Sequence, residues 1–149
     1  MEFDFKHLQA QHPATWVIAG PTGSGKTEIT FQLLENWKTC INIENVDVLK
    51  VIWYYGIGQS RYSKSIKNVE IIYIKDKPSE NDIDLYQPNL IVLDDLMDEL
   101  KNDETLAKIF TRVSHHRNVS VIFIIQNLFQ KGSQMRTISV NAQYIILTE

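Results

Sequence analysis

Apolar residues along this chain fall into short runs that alternate with stretches of helical period. Thr15–Ala19 (TWVIA) is a β-branched run halted by Gly20-Pro21, the pattern of a strand buried on both faces. From Thr27 to Lys38 the residues Ile29, Leu33 and Trp37 recur every four positions with Leu34 beside them, which predicts one amphipathic helix. Val51–Tyr55 (VIWYY), Val69–Ile74 (VEIIYI), Leu90–Leu93 (LIVL), Val119–Ile125 (VSVIFII) and Tyr144–Leu147 (YIIL) predict further strands. Gly56–Lys67 is polar and basic, a loop or short helix, and Asp76–Pro88 is acidic and turn-rich. Leu96–Ser114 carries Leu96, Leu100, Leu106, Ile109, Phe110 and Val113, and reads as two helical pieces broken near Asn102-Asp103, with Asp103 as the second cap. Asn118 suits a left-handed turn into the strand that follows it. Continuous apolar strands separated by helices imply a mainly parallel sheet covered by helices on both faces, so the expected fold class is α/β.

Length and composition narrow this picture. The 149 residues suit a single domain over 1–149, with 1–12 read as an N-terminal extension. With 44% hydrophobic and 22% charged residues the chain has the composition of an ordinary globular protein. No run approaches the roughly 18 apolar residues of a membrane-spanning helix. Met1–Gln11 carries Glu2, Asp4 and Lys6 and lacks the apolar core of a secretory signal. The lone cysteine, Cys40, excludes an internal disulfide and favours a reducing compartment, so an intracellular, non-secreted location with no membrane partner is expected.

A net charge of −3 and a pI near 5.8 do not mark a nucleic-acid binder. The average conceals an asymmetry. Residues 76–104 hold 10 acidic and 2 basic side chains, whereas 105–148 hold Lys108, Arg112, Arg117, Lys131 and Arg136, no acid, and also His115 and His116. That last third is suited to a polyanion, although one block of like charge can also be simply a solvated face.

Candidate chemistry begins at the first turn. Gly20, Pro21, Thr22, Gly23, Ser24, Gly25, Lys26 and Thr27 match G-x-x-x-x-G-K-[ST], the Walker A pattern, between a predicted strand and a predicted helix. Glycines let backbone N–H groups converge on phosphates, and the helix adds its positive dipole end. Lys26 reaches the β- and γ-phosphates and the Thr27 hydroxyl ligates Mg²⁺, so ATP and Mg²⁺ are the expected cofactors. Leu90–Leu93 runs into Asp94 and Asp95, a Walker B pattern in which Asp94 holds the metal through water and Asp95 polarises the attacking water. Taken alone, Asp95 also reads as a cap for the next helix, but paired with the loop at 20–27 the functional reading is favoured. Val119–Ile125 ends on Gln126, an amide able to sense the γ-phosphate if that strand lies beside the acidic one, or else the first residue of a surface turn. His115-His116 has no Cys or carboxylate at ligand spacing, so zinc is not expected. Arg117 is the first candidate, and Arg136 the second, for an arginine that meets nucleotide or DNA across a subunit boundary.

The segments HPATWVIAGPTGSGKT, LIVLDDLMDEL, SHHRNVSVIFIIQNLF and QMRTISVNAQYIIL resemble the FtsK–HerA superfamily of P-loop ATPases. More narrowly, they resemble the viral genome-packaging ATPases of the poxvirus, adintovirus and Polinton (Maverick) type. The likeness runs from His12 onward, less distinctively between Asn36 and Tyr86. It implies a RecA-like core of strand order 5-1-4-3-2, with one strand between the P-loop strand and the acidic strand. It also implies a homo-oligomeric ring, hexamer or pentamer, that hydrolyses ATP to drive double-stranded DNA into a capsid, with viral capsid proteins as partners. The location would then be the cytoplasm or nucleus of a host cell. Carried over residue by residue, Lys26 and Thr27 contact phosphate and Mg²⁺, Asp94 is the metal acid, Asp95 the catalytic acid and Gln126 the sensor. Family members usually continue past the last strand, so a chain stopping at Glu149 reads as lacking the family's C-terminal tail. The superfamily's amide strand usually ends Thr-Gln, and here it ends Ile125-Gln126. Two rival readings remain: an ATP-binding assembly module with little turnover, and a small P-loop nucleotide kinase. The second would want an arginine-rich lid, and the chain has four scattered arginines, Arg61, Arg112, Arg117 and Arg136.

Overall fold

Twelve segments of regular structure build the fold within a computed structural model that describes residues 7–56, 62–96, 118–127 and 133–149, with Glu104, Lys108 and Val113 besides. In chain order they are β1 Ala10–Gln11, β2 Thr15–Ala19, α1 Lys26–Glu35, α2 Trp37–Cys40, β3 Ile41–Asn42, β4 Leu49–Tyr55, β5 Val69–Ile74, α3 Glu80–Tyr86, β6 Leu90–Asp94, β7 Ser120–Ile125, α4 Ser133–Asn141 and β8 Tyr144–Leu147. Six strands form one sheet in the order β5-β4-β6-β7-β2-β8, and β1 pairs with β3 separately. Every neighbouring pair in the large sheet is parallel.

Alternation within the strands explains why both faces are covered. Trp16 and Ile18 of β2 join a core with Leu33 and Leu34 of α1, Trp53 of β4, Val92 of β6 and Ile122 of β7. Their neighbours Val17 and Ala19 point the other way, into a second core with Tyr54, Ile91, Leu93, Phe123, Ile83 of α3 and Ile138 of α4. A strand buried on both faces has no polar alternation to show, hence the continuous apolar runs.

The expected order 5-1-4-3-2 is corrected: it counts five strands, and the sheet has six. Val69–Ile74 adds an outer strand, pairing with β4 from Leu49↔Val69 to Tyr54↔Ile74. The expected single strand between the P-loop strand and the acidic strand is β7, which pairs with both. The helix expected over 27–38 is divided at Asn36, whose backbone leaves helical geometry and whose Nδ2 donates to the Gln32 carbonyl at 2.8 Å. The same carbonyl also accepts the Asn36 backbone N–H at 3.1 Å, so side chain and backbone of one residue close the helix end together.

The acidic segment 76–88 contains the helix α3, which composition disguised as turns. Ser79 caps it by accepting from Asn81 N at 3.2 Å, and Glu80 and Asp82 complement the dipole of the first turn. Asn118 takes the left-handed conformation expected of it, with φ of 59°. Leu96 and Val113 are buried, while most of the helical pattern expected over 96–114, including Asp103, lies outside the described residues. No helix among the described residues is long and apolar enough to cross a membrane.

Candidate active site

Strand register brings the chemistry to one edge. Ala19 of β2 is level with Ile125 of β7, and Ile124 of β7 is level with Asp94 of β6. The residues just past these positions therefore emerge side by side at the carboxyl ends of three adjacent strands. Gly20 N donates to the Ile125 carbonyl at 3.2 Å, and Asp95 N to the Ile124 carbonyl at 2.9 Å. In open parallel sheets, this edge is where ligands bind.

The loop 20–27 is shaped by its glycines and by one distant residue. Gly23 and Gly25 have φ of 81° and 92°, which other residues adopt at a cost, and a Cβ at either would meet nothing within 4 Å. The loop thus presents open backbone to the cavity. Gly20 is small for a different reason: a Cβ there would collide with the Thr148 side chain. Thr148 follows β8, pairs its hydroxyl with that of Ser24, and donates its N–H to the Ala19 carbonyl at 2.9 Å. Lys26 opens α1 and donates its Nζ to the Gly20 and Pro21 carbonyls, the latter at 3.2 Å. Burial holds its ammonium below the usual lysine range, partly offset by the charges of Asp95 and Asp94. A phosphate oxygen would take this ammonium over from two neutral carbonyls, an exchange that charge favours.

Opposite the loop, Asp94 is 3% exposed and accepts two hydrogen bonds on Oδ2, from Tyr62 OH at 2.6 Å and Trp53 Nε1 at 3.2 Å. Burial pushes its carboxyl above the ordinary range, and those two donors pull it back only in part. Tyr62 is raised in turn, by burial first and then by its bond to Asp94. Asp95 turns out of the strand with φ of 55°, and Gln126 Nε2 donates to its Oδ2 at 3.3 Å. Amide and carboxylate, expected on neighbouring strands, do meet.

Thr22, Gly23, Gly25, Lys26, Thr27, Tyr62, Asp94, Asp95 and Gln126 line one cavity of about 380 Å³. Its donor set fits a polyphosphate and a hard cation: backbone amides and an ammonium on one wall, a hydroxyl and two carboxylates on the other. Among the described residues no three His, Cys, Asp or Glu side chains gather into a metal site, so a cation here would complete its shell with water and phosphate.

Other expected residues are not brought here. Arg117, His115, His116, Arg61 and Lys131 lie outside the described residues, and Arg136 is exposed on α4. In the basic stretch 56–67, Lys64 is engaged by Glu35 at 3.2 Å and lies 4.9 Å from the Phe31 ring centroid. Sequence reading missed Trp53, Tyr62 and Thr148. Trp53 sits within the apolar run of β4, Tyr62 in the polar stretch after it, and Thr148 trails the last strand; no local spacing ties any of them to the motifs.

Comparisons with known proteins bear on the family and the fold. A family model described as Poxvirus A32 protein matches residues 1–142. The tRNA dimethylallyltransferase of Prochlorococcus marinus (strain MIT 9301) is 31% identical over 98 residues, which are 65% of this chain and 32% of that protein. The chain thus spans about a third of that relative's length. Among solved structures, the Legionella pneumophila ATPase DotB shares the fold with a TM-score of 0.57 at 14% identity, over 91% of this chain and 40% of its own.

Proposed function

This chain belongs to the poxvirus A32 protein family, a family of viral packaging ATPases, and from that premise we propose that it hydrolyses ATP to translocate double-stranded DNA into a capsid. What carries the reading is the convergence of Lys26, Thr27, Asp94, Asp95 and Gln126 on one cavity at the carboxyl edge of β2, β6 and β7. The single domain 1–149 is the motor unit.

Each residue has a distinct task. Gly20 to Gly25 cradle the phosphates with backbone N–H groups, and Lys26 binds the β- and γ-phosphates. Thr27 and Asp94 would hold Mg²⁺, which would supply the positive charge that neutralises the phosphates. Asp95, at the mouth and partnered by Gln126, orients a water and draws its proton as the water attacks the γ-phosphorus. Gln126, a neutral amide bonded to Asp95, senses the phosphate without adding charge. An arginine from a neighbouring subunit, Arg117 or Arg136, stabilises the transition state, a contribution of about 10³–10⁵ in rate. A hexameric or pentameric ring follows from that need. DNA contacts come from the acid-free stretch 105–148, are made to phosphates, and ignore sequence. Capsid proteins are the receiving partners.

The experiment is ATP turnover with and without long duplex DNA, for the wild type and Lys26→Ala. We expect DNA to raise turnover several-fold and Lys26→Ala to abolish it. Phosphorylation of an added nucleotide independently of DNA would overturn the reading in favour of a kinase. Tight ATP binding without turnover would favour an assembly module.

A further inference from the structure

Tyr62 was not among the motif residues, yet its hydroxyl touches the acid assigned to the metal. It donates to Asp94 Oδ2 at 2.6 Å, inside the cavity that Thr27 and Asp94 also line. In a P-loop site, Mg²⁺ is ligated by the Thr hydroxyl and reaches the acid through a bound water. The Tyr62 oxygen stands at Asp94 where that bound water would donate, so the two compete for one carboxylate oxygen. The ring is held firmly in this pose. It stacks on Tyr73 at 5.8 Å and 18°, meets Tyr55 edge-on at 5.1 Å, and leans on Trp53 at 5.5 Å. Trp53 supplies the second donor to the same Asp94 oxygen.

Resting on the ATPase reading above, we infer that the Tyr62 hydroxyl is a built-in competitor for the Mg²⁺ position, which the metal–nucleotide complex must displace. Tyr62 keeps the buried carboxylate of Asp94 hydrogen-bonded until a cation arrives. It therefore raises the Mg²⁺ concentration at which nucleotide binds in its metal-bound form, while leaving metal-free nucleotide binding to the loop and Lys26. Its role is distinct from that of Asp94, which favours the metal.

The test is calorimetric titration of the full chain with ADP and with a non-hydrolysable ATP analogue, across a Mg²⁺ series and in EDTA, for wild type and Tyr62→Phe. The substitution keeps the stacked ring and deletes only the oxygen. We expect the Mg²⁺ concentration for half-maximal tightening to fall about tenfold, the effect of releasing one charge-assisted hydrogen bond, with affinity in EDTA unchanged within about twofold. An unchanged Mg²⁺ requirement overturns the inference, and so does a raised one, which would make Tyr62 a support for the metal instead. A second readout needs no loss of the side chain: ¹⁹F spectra of the wild type carrying 3-fluorotyrosine. The Tyr62 resonance is expected to shift when nucleotide is added with Mg²⁺ and to stay in place with nucleotide in EDTA. Equal shifts in both conditions overturn competition at the metal position. Failure of the wild type to bind nucleotide under any condition would instead sink the ATPase reading, and this inference with it.

Discussion

Asp94, the acid proposed to hold the metal, carries a charge that the fold disfavours. Its carboxylate is almost fully buried and its pKa is raised by that burial, so the charged form is disfavoured in the folded chain. Asp94→Asn keeps an oxygen for Tyr62 and Trp53 while removing the charge. We expect its Tm, without Mg²⁺ or nucleotide, to rise by about 2–4 °C, the shift that roughly 1 kcal/mol produces at this size, and its ATP turnover to fall by about 10–100-fold. A lowered Tm in differential scanning calorimetry would refute the burial argument. His12 makes a pH prediction of the opposite kind. Burial holds its imidazole below the ordinary 6.5, and its Nδ1 lies 2.7 Å from Ser120 Oγ. The neutral form is the folded form, so its stability contribution is present above pH 6.5 and is lost as pH falls through the lower folded value. Urea unfolding from pH 7.5 downward should show the wild type losing stability relative to His12→Gln, and parallel curves would contradict this. At the residue scale, contiguous chemistry was legible: Gly20–Thr27 and Asp94-Asp95 each declare themselves within a few positions. Tyr62 and Thr148 were not, because they meet their partners across 32 and 124 residues, and neither side chain is typical of the contact it makes.

Among the elements, strands were easier to read than helices. Strands buried on both faces leave an apolar run that little else produces, and β2, β4 to β8 were all visible that way. The helix α3 was obscured because one buried residue, Ile83, anchors it among acids. For α4, the sequence SQMRTISVN offers Met135, Ile138 and Val140 as its apolar positions, too sparse a pattern to set a period. β1 and β3, two residues each, are shorter than any periodicity. The element with the least expected role is β8. Through Thr148 it pins the P-loop at Ser24 and Ala19, so an edge strand sets the shape of the phosphate cradle. Thr148→Val keeps the shape of the side chain and deletes its hydroxyl. We expect nucleotide affinity to weaken about three- to tenfold, as for one lost hydrogen bond, while the melting temperature moves by under about 4 °C. Unchanged affinity would show that the loop holds its shape without β8.

For the molecule as a whole, the parallel order gathers the active groups on one edge of the sheet and leaves the net charge of −3 unevenly laid out. The acidic block contributes Asp94 and Asp95 to the cavity, and the acid-free stretch that follows it returns to the same edge through Gln126. Fold class was legible because alternating apolar strands and helices admit few other arrangements. The strand Val69–Ile74 was legible too, but its place in the sheet was not, because a family order of five gives it no position. On the function proposed above, a transition-state arginine is supplied by another copy, and the unit of function is then an assembly. The most direct measurement is displacement of a third strand annealed to a long duplex, followed with ATP and Mg²⁺. Wild-type protein should strip the third strand with ATP, and neither a non-hydrolysable analogue nor Asp95→Asn should support stripping. Hydrolysis of ATP on that duplex with the third strand left in place would contradict the account.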